Sequence, residues 1–209
     1  MKTLGSVTSE SPAGSCRFDV DDNIVYSDRK GIFRSVGWLE NQTTAQSVVW
    51  KDHLIGGKDL EAMFLDIGNV DNKLTVACNT RNGYVRLLTP GADLPEPWES
   101  PRIILSDGIG GGKGTSFGDV NNDGHMDLAC KCKHAEGKVG VYWLSGAPTQ
   151  TTNDTEPQHR TFNDISGNTA GSKFDRIRLP DLARDGDHDL LTCEERDNLG
   201  VICYENSVN

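Results

Sequence analysis

The chain has 209 residues and carries 21 Lys and Arg against 31 Asp and Glu, a net charge of −10. That length supports one domain with a sizeable core, while the acidic balance excludes a nucleic-acid binder, which needs clustered cations to neutralise phosphate. No apolar run approaches the roughly 18 residues of a membrane span, and Met1–Val7 lacks the apolar centre of an export signal.

In chain order, the pattern is of short strands separated by turns. A lone strand is expected around Leu4–Val7, followed by a turn with Pro12 and Gly14. Strands over 16–20, 24–27 and 32–39 make a first repeat that ends at Glu40-Asn41. A second repeat takes an outer strand over 47–50, then strands over 63–66, 74–78 and 84–88. Its last turn holds Asn82-Gly83, a hairpin signal because both residues tolerate positive φ. A proline-marked link over 90–101 leads to a third repeat, with strands over 102–105, 115–120, 126–133 and 139–144. The polar stretch 146–160 reads as a loop, and a fourth repeat follows over 161–165, 171–182, 189–194 and 199–204. The repeats span about 1–41, 46–89, 101–145 and 160–206 of a single domain over 1–209.

Two of these repeats carry the same acidic phrase. Asp119, Asn121, Asp123 and Asp127 stand at positions one, three, five and nine of a loop whose sixth residue is Gly124. Calcium takes six to eight oxygen ligands, and a short loop supplies them only by turning sharply, which glycine permits. The backbone carbonyl of His125 adds a ligand. Helix-loop-helix calcium sites close with Glu at position twelve, where this chain has Cys130, so the loop is read as a hairpin tip. The second copy is Asp181, Asp185, Asp187 and Asp189, with Ala183 at position three. Eroded copies are read at Asp66–Asp71 and Asp19–Asn23. The leading aspartates, at 19, 66, 119 and 181, are 47, 53 and 62 residues apart, and small sheets repeating at such intervals point to an all-β propeller of four blades.

Six cysteines do not imply disulfides here. Cys78, Cys130 and Cys193 close similar triplets in successive repeats, and equivalent positions on neighbouring blades are too far apart to bridge. They read as small buried hydrophobes, as does Cys203 in the place of Trp38 and Trp143.

Phe117-Gly118-Asp119-Val120-Asn121-Asn122-Asp123-Gly124 resembles the FG-GAP or VCBS repeat family. Val36-Gly37-Trp38-Leu39-Glu40-Asn41 and Cys193-Glu194-Glu195-Arg196-Asp197-Asn198-Leu199-Gly200-Val201 resemble the closing blades of secreted bacterial members. The resemblance implies a calcium-decorated propeller of the kind seen at integrin α-subunit N-termini. It also implies a larger, seven-bladed whole of which this chain is the C-terminal part, and an extracellular or periplasmic location. Four blades that do not close alone would call for a second copy.

Strand alternation puts the second-to-third turns on the rim opposite the calcium loops. That rim gathers Arg29, Lys30, Arg81, Lys133, His134, Glu194 and Arg196 as candidate ligand-binding residues, with Lys58, Lys113 and Lys173 in the entry loops. A mixed ring of this kind suits a carbohydrate or protein ligand. The reading is a non-catalytic binding or scaffold module that uses Ca2+. The rival is a polysaccharide lyase or sugar dehydratase using His134 with Lys131 or Lys133 as base and charge neutraliser.

Overall fold

The computed structural model describes residues 16–18, 23–30, 34–58, 61–81, 84–91, 98, 102–148 and 160–207. The expected strand at Leu4–Val7, the acidic stretch Asp19–Asp22, the Asn82-Gly83 turn and most of the polar loop after residue 148 lie outside these residues.

Every regular element among the described residues is a strand, and within each sheet the named strands pair antiparallel with their chain neighbours. The first sheet is β1 (Cys16–Phe18), β2 (Ile24–Ser27), β3 (Val36–Asn41) and β4 (Trp50–Gly56). The second is β5 (Leu65–Val70), β6 (Lys73–Asn79), β7 (Tyr84–Leu88) and β8 (Arg102–Ile104). The third is β9 (Gly111–Gly118), β10 (Asp127–Lys133), β11 (Val141–Pro148) and β12 (Arg160–Asp164). The fourth has β13 (Phe174–Arg178), β14 (Leu190–Glu194) and β15 (Gly200–Tyr204).

These groupings correct the phase read from sequence. The outer strands near 47–50, 102–105 and 161–165 were expected to open the repeat that follows. Each instead closes the preceding sheet: β4 pairs with β3, β8 with β7 and β12 with β11. A strand adds where unpaired backbone N–H and C=O groups are waiting, and the last strand of a finished hairpin offers them.

The sheets stack face to face, with β1 beside β5, β5 beside β9 and β9 beside β13. Three apolar layers fill the spaces between them. Val25, Val36 and Ile55 meet Val76, Cys78 and Leu88; Ala77, Val85 and Leu87 meet Cys130, Cys132 and Tyr142; Ala129 and Val141 meet Phe174 and Ile177. Successive strand residues point to opposite faces. Val76 and Cys78 therefore serve one layer and Ala77 the next, so the centre of β6 is packed on both faces, and β10 is likewise buried along its length. Each fully buried aliphatic side chain contributes about 1.5–3 kcal/mol.

The Phe-Gly pair has a packing reason. A Cβ at Gly68 would lie 2.7 Å from the Phe117 ring, and one at Gly118 would lie 2.7 Å from Leu179 Cδ1. Each glycine is the seat for a large side chain from the following sheet, Phe117 within β9 and Leu179 just past the end of β13.

Cys78 and Cys130 are buried free thiols, as expected, and Cys132 is buried beside them. Burial pushes Cys78 and Cys132 up to about 12. Two cysteine expectations are corrected. Leu190 follows Asp189 as Leu128 follows Asp127, so Thr192 occupies the place of Cys130 and Cys193 that of Lys131. Cys203 does pair with Leu191 as Trp143 pairs with Ala129, yet it is exposed. Among the described residues no fourth strand covers that sheet.

Candidate functional site

The two acidic phrases do form the loops between first and second strands, and they are copies of one backbone. Position four has positive φ in both, at Asn122 (55°) and Arg184 (60°), and so does position six, at Gly124 (83°) and Gly186 (94°). Position one accepts the amides of positions five and six: Asp123 N and Gly124 N donate to Asp119 at 3.1 and 2.9 Å, while Asp185 N and Gly186 N donate to Asp181 at 3.2 and 3.3 Å. In the first copy Asp123 N also donates to Asn121 Oδ1, and His125 N donates to Asp123 Oδ1 at 2.8 Å. That last bond holds the exposed Asp123 carboxyl below its ordinary pKa.

Position nine anchors each loop to its sheet. Asp127 accepts Val120 N at 2.8 Å and Gly146 N at 2.6 Å, tying the loop to the end of β11. Asp189 accepts Leu182 N at 2.8 Å and Asn206 N at 3.1 Å, tying its loop to the end of β15. In the first sheet Asn23 does the same for Asn41 N at 2.8 Å. The second sheet has lost both halves of the bond. Register places Thr75 opposite Gly68 as Asp127 stands opposite Gly118, and Pro90, two residues past Leu88, has no N–H to give.

That register also corrects the eroded copy in the second repeat. Asp66 lies inside β5 and is not a loop residue; Asn69 takes the place of Asp119. Strands β5 and β6 run unbroken to a two-residue turn at Asp71-Asn72, both with positive φ, so no loop remains to hold an ion. Asp66 instead ties sheets together, accepting Phe117 N at 3.0 Å and Ser116 Oγ at 3.3 Å.

Among the described residues no three His, Cys, Asp or Glu side chains are gathered as a ready-made metal cage. The donor chemistry nonetheless fits a hard cation, and the second loop fits it best. Asp187 is 4% exposed, and its Oδ1 is buried without a hydrogen-bond partner. Burial, followed by the charge of Asp185, raises its pKa. The neighbouring Asp181 and Asp189 carboxylates add to that repulsion. In the first loop the equivalent residue, His125, is exposed.

The opposite ends of the same strands form a pocket of about 360 Å³, to which all four sheets or their connections contribute. Arg29, Lys133 and His134 line it, as the rim reading expected. Lys113 and Lys173 join them from the third and fourth sheets, while Met63 and Phe64 form an apolar wall. Lys113 Nζ lies 3.0 Å from Asp175 Oδ1 and 2.8 Å from Glu195 Oε1, and Lys173 Nζ lies 2.7 Å from the same Glu195 oxygen. Those two lysines hold Glu195 below its ordinary pKa. Burial alone would raise Asp175, but Lys113 and Lys131 outweigh it and the net shift is downward.

Behind this wall lies Lys131, almost wholly buried. Its Nζ donates to Asp175 O at 2.7 Å and sits 4.3 Å from the centre of the Phe64 ring. Burial lowers its pKa to about 8 despite the Asp175 charge. Asp175, Met63 and Phe64 were missed in the sequence. Asp175 had a readable signal, since alternation along β13 puts it on the same side as Lys173.

The other rim candidates do not reach the pocket. Glu194 is 3% exposed and accepts four backbone amides, from Ser172, Lys173, Arg196 and Asp197. Burial opposes its charge, but these amides prevail and its pKa falls. It shapes the β14–β15 turn, so its ligand-binding assignment is replaced by a structural one. Arg196 pairs with Glu136, joining the fourth sheet to the third. Arg81 pairs with Glu61 at 3.2 Å, and Lys30 is exposed away from the lining. His134 is exposed and has positive φ (53°), and no tyrosine is among the pocket's lining residues. No protein-family model, curated protein or solved structure matches the chain.

Proposed function

We infer that the four sheets are blades of a β-propeller, that loops 119–127 and 181–189 hold Ca2+, and that the whole is a non-catalytic binding module. The observation that carries this reading is the convergence of all four sheets on one pocket, at the end opposite the acidic loops. Sheet-to-sheet stacking through first strands, and glycine seats that repeat from sheet to sheet, support the propeller. Asp119, Asn121, Asp123 and Asp127, with the carbonyl of His125, hold one ion; Asp181, Asp185, Asp187 and Asp189 hold the other. Bound calcium offsets carboxylate repulsion and so couples to folding. Weak loops of this type fill at the millimolar calcium found outside cells, which suits an extracellular or periplasmic protein.

The ligand class is carbohydrate or protein. Immobilised full chain, with and without chelator, is to be probed with glycan and protein arrays. Retention that vanishes on combined Arg29→Gln and Lys133→Met substitution supports the module. Release of unsaturated sugar product from a uronate polymer, dependent on His134, would replace it with a lyase.

A further inference from the structure

The pocket's charge is unbalanced, and the imbalance identifies a ligand chemistry. Two carboxylates, Asp175 and Glu195, serve three lysines: Lys113 contacts both, Lys131 takes Asp175 and Lys173 takes Glu195. Lys133 is left over. It is 9% exposed and lines the pocket, and among the described residues no carboxylate lies within 4.0 Å of its Nζ. Its charged neighbours are mostly like charges, Arg29, Arg81 and Lys113, with Glu61 the one carboxylate that offsets them. A largely buried lysine set among other cations is costly unless an anion joins it. The protein as a whole carries −10, so this concentration of positive charge runs against its overall balance.

The remaining wall narrows the class. Met63 and Phe64 present apolar surface beside the cations. A free inorganic ion would leave that surface wet, whereas a sugar ring sets its C–H face there while a charged substituent reaches the lysine. The volume, about 360 Å³, falls at the small end of ligand pockets.

We propose that this pocket binds the carboxylate or sulfate group of an acidic sugar, with Lys133 Nζ as the principal contact and Met63 and Phe64 packing against the ring. The inference rests on the binding-module reading and deepens it. Arg29 at the pocket edge adds a second cation, and its planar fork suits a bidentate oxyanion.

Calorimetric titration of the full chain tests it with four probes: a uronate oligosaccharide, a sulfated galactan oligosaccharide, a neutral galactan oligosaccharide of equal length, and inorganic sulfate. Both acidic sugars are expected to bind at least about tenfold more tightly than the neutral one or sulfate alone, and more weakly as salt rises. Lys133→Met is expected to remove about tenfold or more of that affinity, and the surface change Lys51→Gln none. Should Lys133→Met fail to melt cooperatively, Arg29→Gln on the pocket edge carries the same test. Equal affinity for the neutral sugar, or unchanged affinity in both variants, overturns the acidic-sugar assignment while leaving the module intact. Sulfate alone binding as tightly as the sulfated sugar makes this an inorganic-anion site and also overturns it. If none of the probes binds the assignment falls, and silence on the wider glycan and protein arrays brings down the module reading as well.

Discussion

Asn206 clasps Asp189 and reaches past it. Its backbone N–H donates to Asp189 Oδ1 at 3.1 Å, while its side-chain amide donates to Val120 O at 2.6 Å and His188 O at 3.3 Å. This single residue, two past the end of β15, thus joins the loop of the fourth sheet to that of the third. The bond to Asp189 is one of three equivalents, with Asn23 to Asn41 and Asp127 to Gly146.

Within this set Asp127 is fully buried and holds its loop to β11, so its loss is costly. Asp127→Ala strands two amides, Val120 N and Gly146 N, and is expected to lower stability by about 2–4 kcal/mol in urea denaturation. Thr75→Asp is expected to gain nothing, because Pro90 offers no N–H, and to lose stability by burying an unpaired carboxylate. A stabilised Thr75→Asp variant would refute the equivalence of the two positions.

The glycine seats predict a coupling between sheets. Gly68→Ala sets a Cβ 2.7 Å from Cγ of the Phe117 ring, close to its point of attachment, where the side chain has little freedom to move aside. The expected cost is about 1–3 kcal/mol. Phe117→Ala in the same chain relieves the clash, so the double mutant should lose less than the sum of the singles. Strict additivity would show that the two residues do not meet.

Lys131 makes stability depend on alkaline pH. Its folded pKa, lowered by burial to about 8, lies below the roughly 10.4 of an unfolded lysine. Between these values the unfolded chain binds more protons than the folded one, so this group's contribution to stability rises with pH across the window and is flat on either side. The difference between wild type and Lys131→Met, measured by denaturation from pH 7 to 11, isolates it. A difference that does not change with pH would contradict the burial of this ammonium.

Calcium is expected to raise the melting temperature by about 5–10 °C for each filled loop at a hundredfold excess over its dissociation constant. EDTA should reverse the rise. Asp187→Asn should weaken the second loop and leave the first, which terbium luminescence titration resolves as the loss of one of two sites. An EDTA-insensitive melt would end the metal assignment.

What the sequence determined by itself was local. Glycine and aspartate spacing placed both acidic loops at hairpin tips, because a loop of that length turns only with positive φ at a set position. Alternation sorted the cations of the turns onto the rim away from those loops. Tertiary structure alone decided which strand completes which sheet, since a strand carries N–H and C=O groups along both edges and its own sequence does not name the neighbour. It alone separated Lys133, left without a carboxylate, from Arg196 and Arg81, which find partners, and turned Glu194 inward onto four amides. Charge pairing joins residues 20 positions apart, as in Arg81 and Glu61, and 60 apart, as in Arg196 and Glu136, and no spacing along the chain encodes which of them meet.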